Sequence, residues 1–125
     1  TWERCEQGLE FSYGWSIAID SGDPNNILLS VAPGPRQAHS KDSAFSTLYR
    51  KPFGTNSWTE VRTGLPSTDE HCAFVLASDP RNPGAFHASS GGQHTYHSLD
   101  GGETWHQTLP GKLPSTGRCN DILCL

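Results

Sequence analysis

The sequence has no helical signal: over its 125 residues, no segment repeats its apolar residues at the period of an α-helix. It also has no long apolar run. The longest, Ile27-Leu28-Leu29-Ser30-Val31-Ala32, is far too short to cross a bilayer, so no membrane span is expected. Basic runs are missing as well. The net charge of −4 is scattered, which excludes a phosphate-tracking stripe and makes nucleic acid an unexpected partner. No basic amphipathic helix offers itself to a membrane surface. Methionine is absent, and the chain starts at Thr1 without a signal-like apolar segment. The expectation is a processed start or a segment of a longer polypeptide.

Cys5, Cys72, Cys119 and Cys124 show no CxxC spacing, so neither a zinc knuckle nor a thioredoxin-like motif is indicated. Four cysteines allow three pairings, and the simplest reading is buried free thiols. Gly91-Gly92 and Gly101-Gly102 sit in hairpin contexts with no following helix, so no phosphate cradle is expected. No cofactor is called for.

Apolar residues make up only 34% of the chain, while thirteen glycines and nine prolines punctuate it. That balance favours many short strands joined by turns. The strands repeat. Tyr49-Arg50-Lys51-Pro52-Phe53-Gly54-Thr55-Asn56-Ser57-Trp58 aligns without a gap on Tyr96-His97-Ser98-Leu99-Asp100-Gly101-Gly102-Glu103-Thr104-Trp105, an offset of 47 residues from position 58 to 105. Trp58 leads to Gly64-Leu65-Pro66, Trp105 to Leu109-Pro110 and Trp2 to Gly8-Leu9. Upstream, the segment from Ala18 through Asp20 to Asn26 matches the one from Ala77 through Asp79 to Gly84, at an offset of 59 from position 20 to 79. An insertion at 32–45, containing Pro33-Gly34-Pro35, absorbs the difference and reads as a loop.

A period of this length fits four short strands and their turns, one β-propeller blade. With strands labelled A to D from the axis outward, the first full blade (11–66) has A at 14–19, B at 27–31, C at 46–51 and D at 58–62. The second (67–110) has A at 72–77, B at 85–89, C at 94–98 and D at 104–108. Residues 1–10 are expected to hold the outer strand of a preceding blade, at 2–6. Residues 111–125 are expected to hold the inner strand of a following one, at 119–125. The fold class is thus all-β: about two blades of four antiparallel strands, part of a larger propeller.

Ser98, Asp100, Gly102, Thr104 and Trp105 fit the pattern S-x-D-x-G-x-T-W. The sequence therefore resembles the Asp-box (BNR) repeat proteins, which include sialidases, tandem-propeller endoglucanases and sortilin-type receptors. The resemblance implies a propeller and weakly favours secretion. The first blade departs from it, with Lys51, Phe53 and Thr55 where Ser, Asp and the second Gly belong. The box reads as structural. Asp100 can accept turn N–H groups, and Trp105 can bury a large aromatic surface. Trp2, Trp58 and Trp105 form the repeating aromatic series.

Chemistry is harder to find. Asp20 and Asp79 occupy equivalent strand ends and are the catalytic candidates for a two-carboxylate glycosidase, although a turn role explains both. His87, His94 and His97 flank a hairpin tip and are the metal-ligand candidates. Strand parity sets His94 with Tyr96 and His97 with Thr95, on opposite faces. The arginines, including Arg50 on an outer strand, do not recur at one blade position as a sialidase-like carboxylate clamp requires, and read as surface residues.

The leading expectation is a non-catalytic propeller segment serving as a binding or structural scaffold for a protein or glycan partner. It would work beside further blades or copies of itself. The alternatives are a fragment of a sialidase- or endoglucanase-like glycoside hydrolase and an oligomeric propeller lectin. The strand order D-ABCD-ABCD-A does not close cleanly by symmetry, which favours a segment of a longer propeller.

Overall fold

The computed structural model describes residues 1–40, 43–69, 71–90 and 94–108. The described chain is all-β apart from one helical turn. Strands β1 (Tyr13–Ile19), β2 (Ile27–Ala32), β3 (Thr47–Lys51) and β4 (Thr59–Val61) form one antiparallel sheet in sequence order. Strands β5 (Phe74–Ser78), β6 (Phe86–Ser90), β7 (His94–Ser98) and β8 (His106–Gln107) form a second. Each strand ends within two residues of its expected position. No sheet closes on itself among the described residues. No helix there is long and apolar enough to cross a membrane.

Side-chain alternation places the core. Ala18, Leu28, Leu48 and Val61 point from the first sheet toward Phe74, Leu76, Phe86, Ala88, Tyr96 and Trp105 of the second, and all are buried. Contacts between the sheets concentrate on β1 against β5. There a bulge between Gly14 and Ser16 lets the Ser16 hydroxyl accept the Leu76 N–H at 3.0 Å. The bond satisfies a buried donor that would otherwise cost about 1–3 kcal/mol. The Phe74 and Tyr96 rings meet edge-on with centroids 6.1 Å apart, a favourable arrangement for two aromatic quadrupoles.

The sequence repeat reappears in the hydrogen bonding. The Asp20 N–H donates to the Asn26 carbonyl at 3.0 Å, and the Asp79 N–H to the Ala85 carbonyl at 2.9 Å. Asn26 N–H to Asp23 and Ala85 N–H to Asn82 are both 3.0 Å. Further out, Leu9 N–H bonds to Glu6 and Leu65 N–H to Arg62. The Trp58 N–H then donates to Gln7 at 2.8 Å as the Trp105 N–H does to Thr63 at 3.0 Å. Gly8 (φ +93°) and Gly64 (φ +84°) lie against the carbonyls of Trp58 and Trp105, where a Cβ would overlap the oxygen. Both the backbone angle and the close approach require glycine.

Several residues are placed differently from the expectation. Residues 1–10 contain no strand, because a strand needs a neighbouring edge to pair with and none lies beside residues 2–6. Trp2 is accordingly fully exposed and packs on nothing, while Trp58 is half-buried and Trp105 is buried. Cys5 is exposed for the same reason, whereas Cys72 is buried, and no disulfide joins these two. The insertion at 32–45 carries a helical turn, α1 (Pro35–Ala38), opened by proline at its first position. The expected strand at 119–125, Cys119, Cys124 and the Leu109-Pro110 match lie outside the described residues.

Candidate functional site

The hairpin turn between β7 and β8 is organised around one carboxylate. Asp100 Oδ1 accepts the Ser98 hydroxyl at 2.8 Å, the Thr104 N–H at 3.0 Å and the Glu103 N–H at 3.1 Å. Its Oδ2 accepts the Thr104 hydroxyl at 2.5 Å. The Ser98 hydroxyl in turn accepts the Gly102 N–H at 3.0 Å. The Trp105 indole N–H donates to the Gly102 carbonyl at 3.1 Å. Partial burial pushes the Asp100 carboxyl upward, but the Thr104, Ser98 and Glu103 donors outweigh it and bring the pKa down to about 2. Ser98, Asp100, Gly102, Thr104 and Trp105 thus form one self-satisfied turn. In the first sheet the corresponding turn has Phe53 exposed, and the Thr55 hydroxyl donates to the Pro52 carbonyl at 3.0 Å.

Asp20 and Asp79 also serve turns, in different ways. Asp20 Oδ1 accepts the N–H of Gly22 at 2.8 Å and of Gly84 at 2.9 Å, and Oδ2 accepts the Asn26 amide at 3.2 Å. The Gly84 bond crosses between the sheets. Burial raises the Asp20 pKa, and these donors lower it further than burial lifts it. The Asp79 carboxylate stays within its own turn, accepting the Asn82 amide at 2.7 Å and the Arg81 N–H at 2.8 Å, while its backbone carbonyl accepts the Ser21 hydroxyl of the first sheet's turn at 2.8 Å. The two carboxylate bonds pull its pKa below the ordinary value. A carboxylate held ionised by several donors is poorly suited to be a general acid near neutral pH.

Pairing register adds to what strand parity implies for the histidines. His87 pairs across the strands with His97, and His97 pairs with His106, so these three share one face of the second sheet. The His97 and His106 rings lie 5.8 Å apart. His94 belongs to the opposite face, where Gln107 Nε2 donates to its Nδ1 at 3.0 Å. No group of three or more His, Cys, Asp or Glu side chains among the described residues is placed to hold a metal ion.

Sequence reasoning missed the most connected side chain between the sheets. Arg50, read as a surface residue, is only 20% exposed at its side chain. Its Nε reaches the Gly101 carbonyl at 2.9 Å and Asn26 Oδ1 at 3.0 Å, and a terminal nitrogen bonds Glu103 at 3.0 Å. The Asn26 amide adds a second donor to the Gly101 carbonyl at 3.1 Å. No local signal marks this network, because Gly101 lies 51 residues from Arg50. Beside it, an open cleft of about 240 Å³ runs between the outer rims of the two sheets. Arg50–Glu103 at 3.0 Å and Arg62–Glu60 at 2.6 Å border it. Such a rim presents alternating donors and acceptors to a polar ligand.

No protein-family model matches the chain, and no curated protein matches it.

Proposed function

We propose that the two sheets are successive blades of an Asp-box β-propeller and that the protein is a non-catalytic binding or structural scaffold for a protein or glycan partner. The observation that carries the scaffold reading is the state of the carboxylates. Asp20, Asp79 and Asp100 each spend their oxygens on structural donors, within their turns and, for Asp20, also across the sheets. Glycoside hydrolysis by the two-carboxylate route needs an acid and a base or nucleophile free to face one bond. The cleft bordered by Arg50, Glu103, Arg62 and Glu60 supports a polar partner, because its paired charges offer hydrogen bonds at low desolvation cost. The blade reading is supported by the duplicated turn and strand-exit hydrogen bonds in both sheets.

The test combines turnover and binding. Fluorogenic sialosides and glucosides are incubated with the protein, and a glycan array is probed in parallel. The proposal expects no turnover, with or without Asp20→Asn or Asp79→Asn. Turnover lost in either variant would establish the hydrolase reading instead. Array binding weakened by Arg62→Ala identifies a glycan partner at the cleft, and an empty array leaves a protein partner.

A further inference from the structure

The repeat is broken in three ways at one end of the first sheet. Tyr13 pairs with Ala32 and Val31 with Thr47, so the start of β1, the end of β2 and the start of β3 meet there. The first break is the bulge between Gly14 and Ser16, which leaves Trp15 unpaired, whereas β5 pairs with β6 in unbroken register. The second is the connection. Residues 33–46 join β2 to β3, whereas residues 91–93 join β6 to β7. The third is Phe45, the one non-glycine among the described residues with a left-handed backbone (φ +48°). At the offset of 47 its counterpart is Gly92, a residue type that adopts such a backbone without strain.

A bulky side chain in this conformation is unfavourable and persists only where its surroundings hold it. Here both neighbours are anchored. The Ala44 N–H donates to the His71 carbonyl at 3.0 Å, and the Ser46 and Ser30 hydroxyls bond at 3.1 Å. Ala44 and Ser46 are buried, yet Phe45 between them is 47% exposed. The strained backbone therefore gains no core packing and presents a phenyl ring to the surface. The bulge acts in the same sense, since an extra residue re-aims a side chain. Trp15 is half-buried, and the exposed His39 ring stands against it at 87° with centroids 5.0 Å apart. His39 is the residue that ends α1, so the helical turn places this brace.

The groups around these rings set the ligand class. The insertion contains no Val, Leu or Ile, and its Ala38 and Ala44 are buried. An apolar peptide would find no aliphatic surface there to extend its contact. Arg36 is exposed, and its guanidinium has no hydrogen-bond or ion-pair partner among the described residues. Aromatic faces beside a free cationic donor suit a sugar ring. Its C–H face carries partial positive charge that an aromatic face attracts, and its oxygens accept from the guanidinium. Strands β1 and β3 lie about 10 Å apart across β2, a span for an oligosaccharide and not for a single sugar.

We propose that Trp15 and Phe45, with Arg36 and His39, form an oligosaccharide-binding platform at the insertion, separate from the Arg62 cleft. The proposal names the partner class that the scaffold reading leaves open, and it rests on that reading. An array of neutral and acidic oligosaccharides is probed with the protein, and the strongest hit is titrated into Phe45→Gly, Arg36→Ala and Arg62→Ala. Phe45→Gly is the decisive variant, because glycine relieves the backbone as it removes the ring. Affinity is expected to fall at least about tenfold in Phe45→Gly and Arg36→Ala, and less than about twofold in Arg62→Ala. The urea midpoint of Phe45→Gly is expected to equal or exceed that of the wild type. An empty array overturns the proposal and leaves the scaffold reading with a protein partner. Unchanged affinity in Phe45→Gly overturns it. Affinity lost in Arg62→Ala alone assigns the sugar to the cleft and also overturns it. A lowered midpoint in Phe45→Gly makes the ring a packing element and overturns the platform. Hydrolysis of the hit defeats the scaffold reading and the proposal resting on it.

Discussion

The Arg50 guanidinium donates to the Gly101 carbonyl at 2.9 Å, tying the third strand of the first sheet to the hairpin turn of the second. The same nitrogen reaches Asn26, and a neighbouring one reaches Glu103. A charged, largely buried hydrogen bond of this kind contributes more than an exposed ion pair. Arg50→Ala is expected to cost about 1.5–3 kcal/mol, read as a shift in urea midpoint. Glu103→Ala removes only the exposed partner and is expected to cost less than about 1 kcal/mol.

The contacts of Gly64 give a sharper comparison. A Cβ there would overlap the Trp105 carbonyl, and the backbone is left-handed as well. Gly64→Ala must therefore separate the sheets locally, and a loss above about 2 kcal/mol is expected. Gly54 shares the left-handed backbone but faces open space in the described chain. Gly54→Ala should cost only about 1 kcal/mol. Thermal denaturation of the two variants side by side checks the difference.

Asp100 makes stability depend on pH in a defined window. Its folded pKa of about 2 lies below the ordinary value of 3.8. Below the unfolded value, the unfolded state takes up the proton more readily, so stability falls with pH. The contribution is complete above about pH 4 and is lost as pH drops toward and through 2. Asp20 and Asp79, also lowered, act in the same direction. Denaturant midpoints at pH 5 and pH 2.5 should differ less in Asp100→Asn than in the wild type.

Ser89 carries a buried hydroxyl with no hydrogen-bond partner among the described residues. Removing an unsatisfied polar atom without opening a large cavity is favourable. Ser89→Ala is expected to be neutral or to stabilise by up to about 1 kcal/mol. Trp105→Ala removes a fully buried indole and its bond to Gly102, and is expected to cost about 3–5 kcal/mol. Trp2→Ala, at a fully exposed site, should stay within about 0.5 kcal/mol. Chemical denaturation of the three variants separates these cases.

These contrasts show what the sequence could disclose. Strand positions were readable, because Asp, Asn, Pro and Gly mark the turns and strand length leaves little freedom between them. The Asp100 turn was readable because all its donors lie within four residues of Asp100. The Arg50 network was not, since its partners are joined only when two sheets meet. Nor was the row of His87, His97 and His106, because pairing register sets that row and the order of residues along any one strand does not reveal it. Trp2 matched Trp58 and Trp105 in sequence, yet an aromatic side chain packs only where a neighbouring sheet receives it.

The claim that the two sheets are successive blades is tested most directly by a crystal structure of the protein. The account predicts that β1 and β5 stand side by side as the inner strands of neighbouring blades around a common axis. Two sheets stacked as a sandwich, with β1 and β5 sharing no such axis, would contradict it.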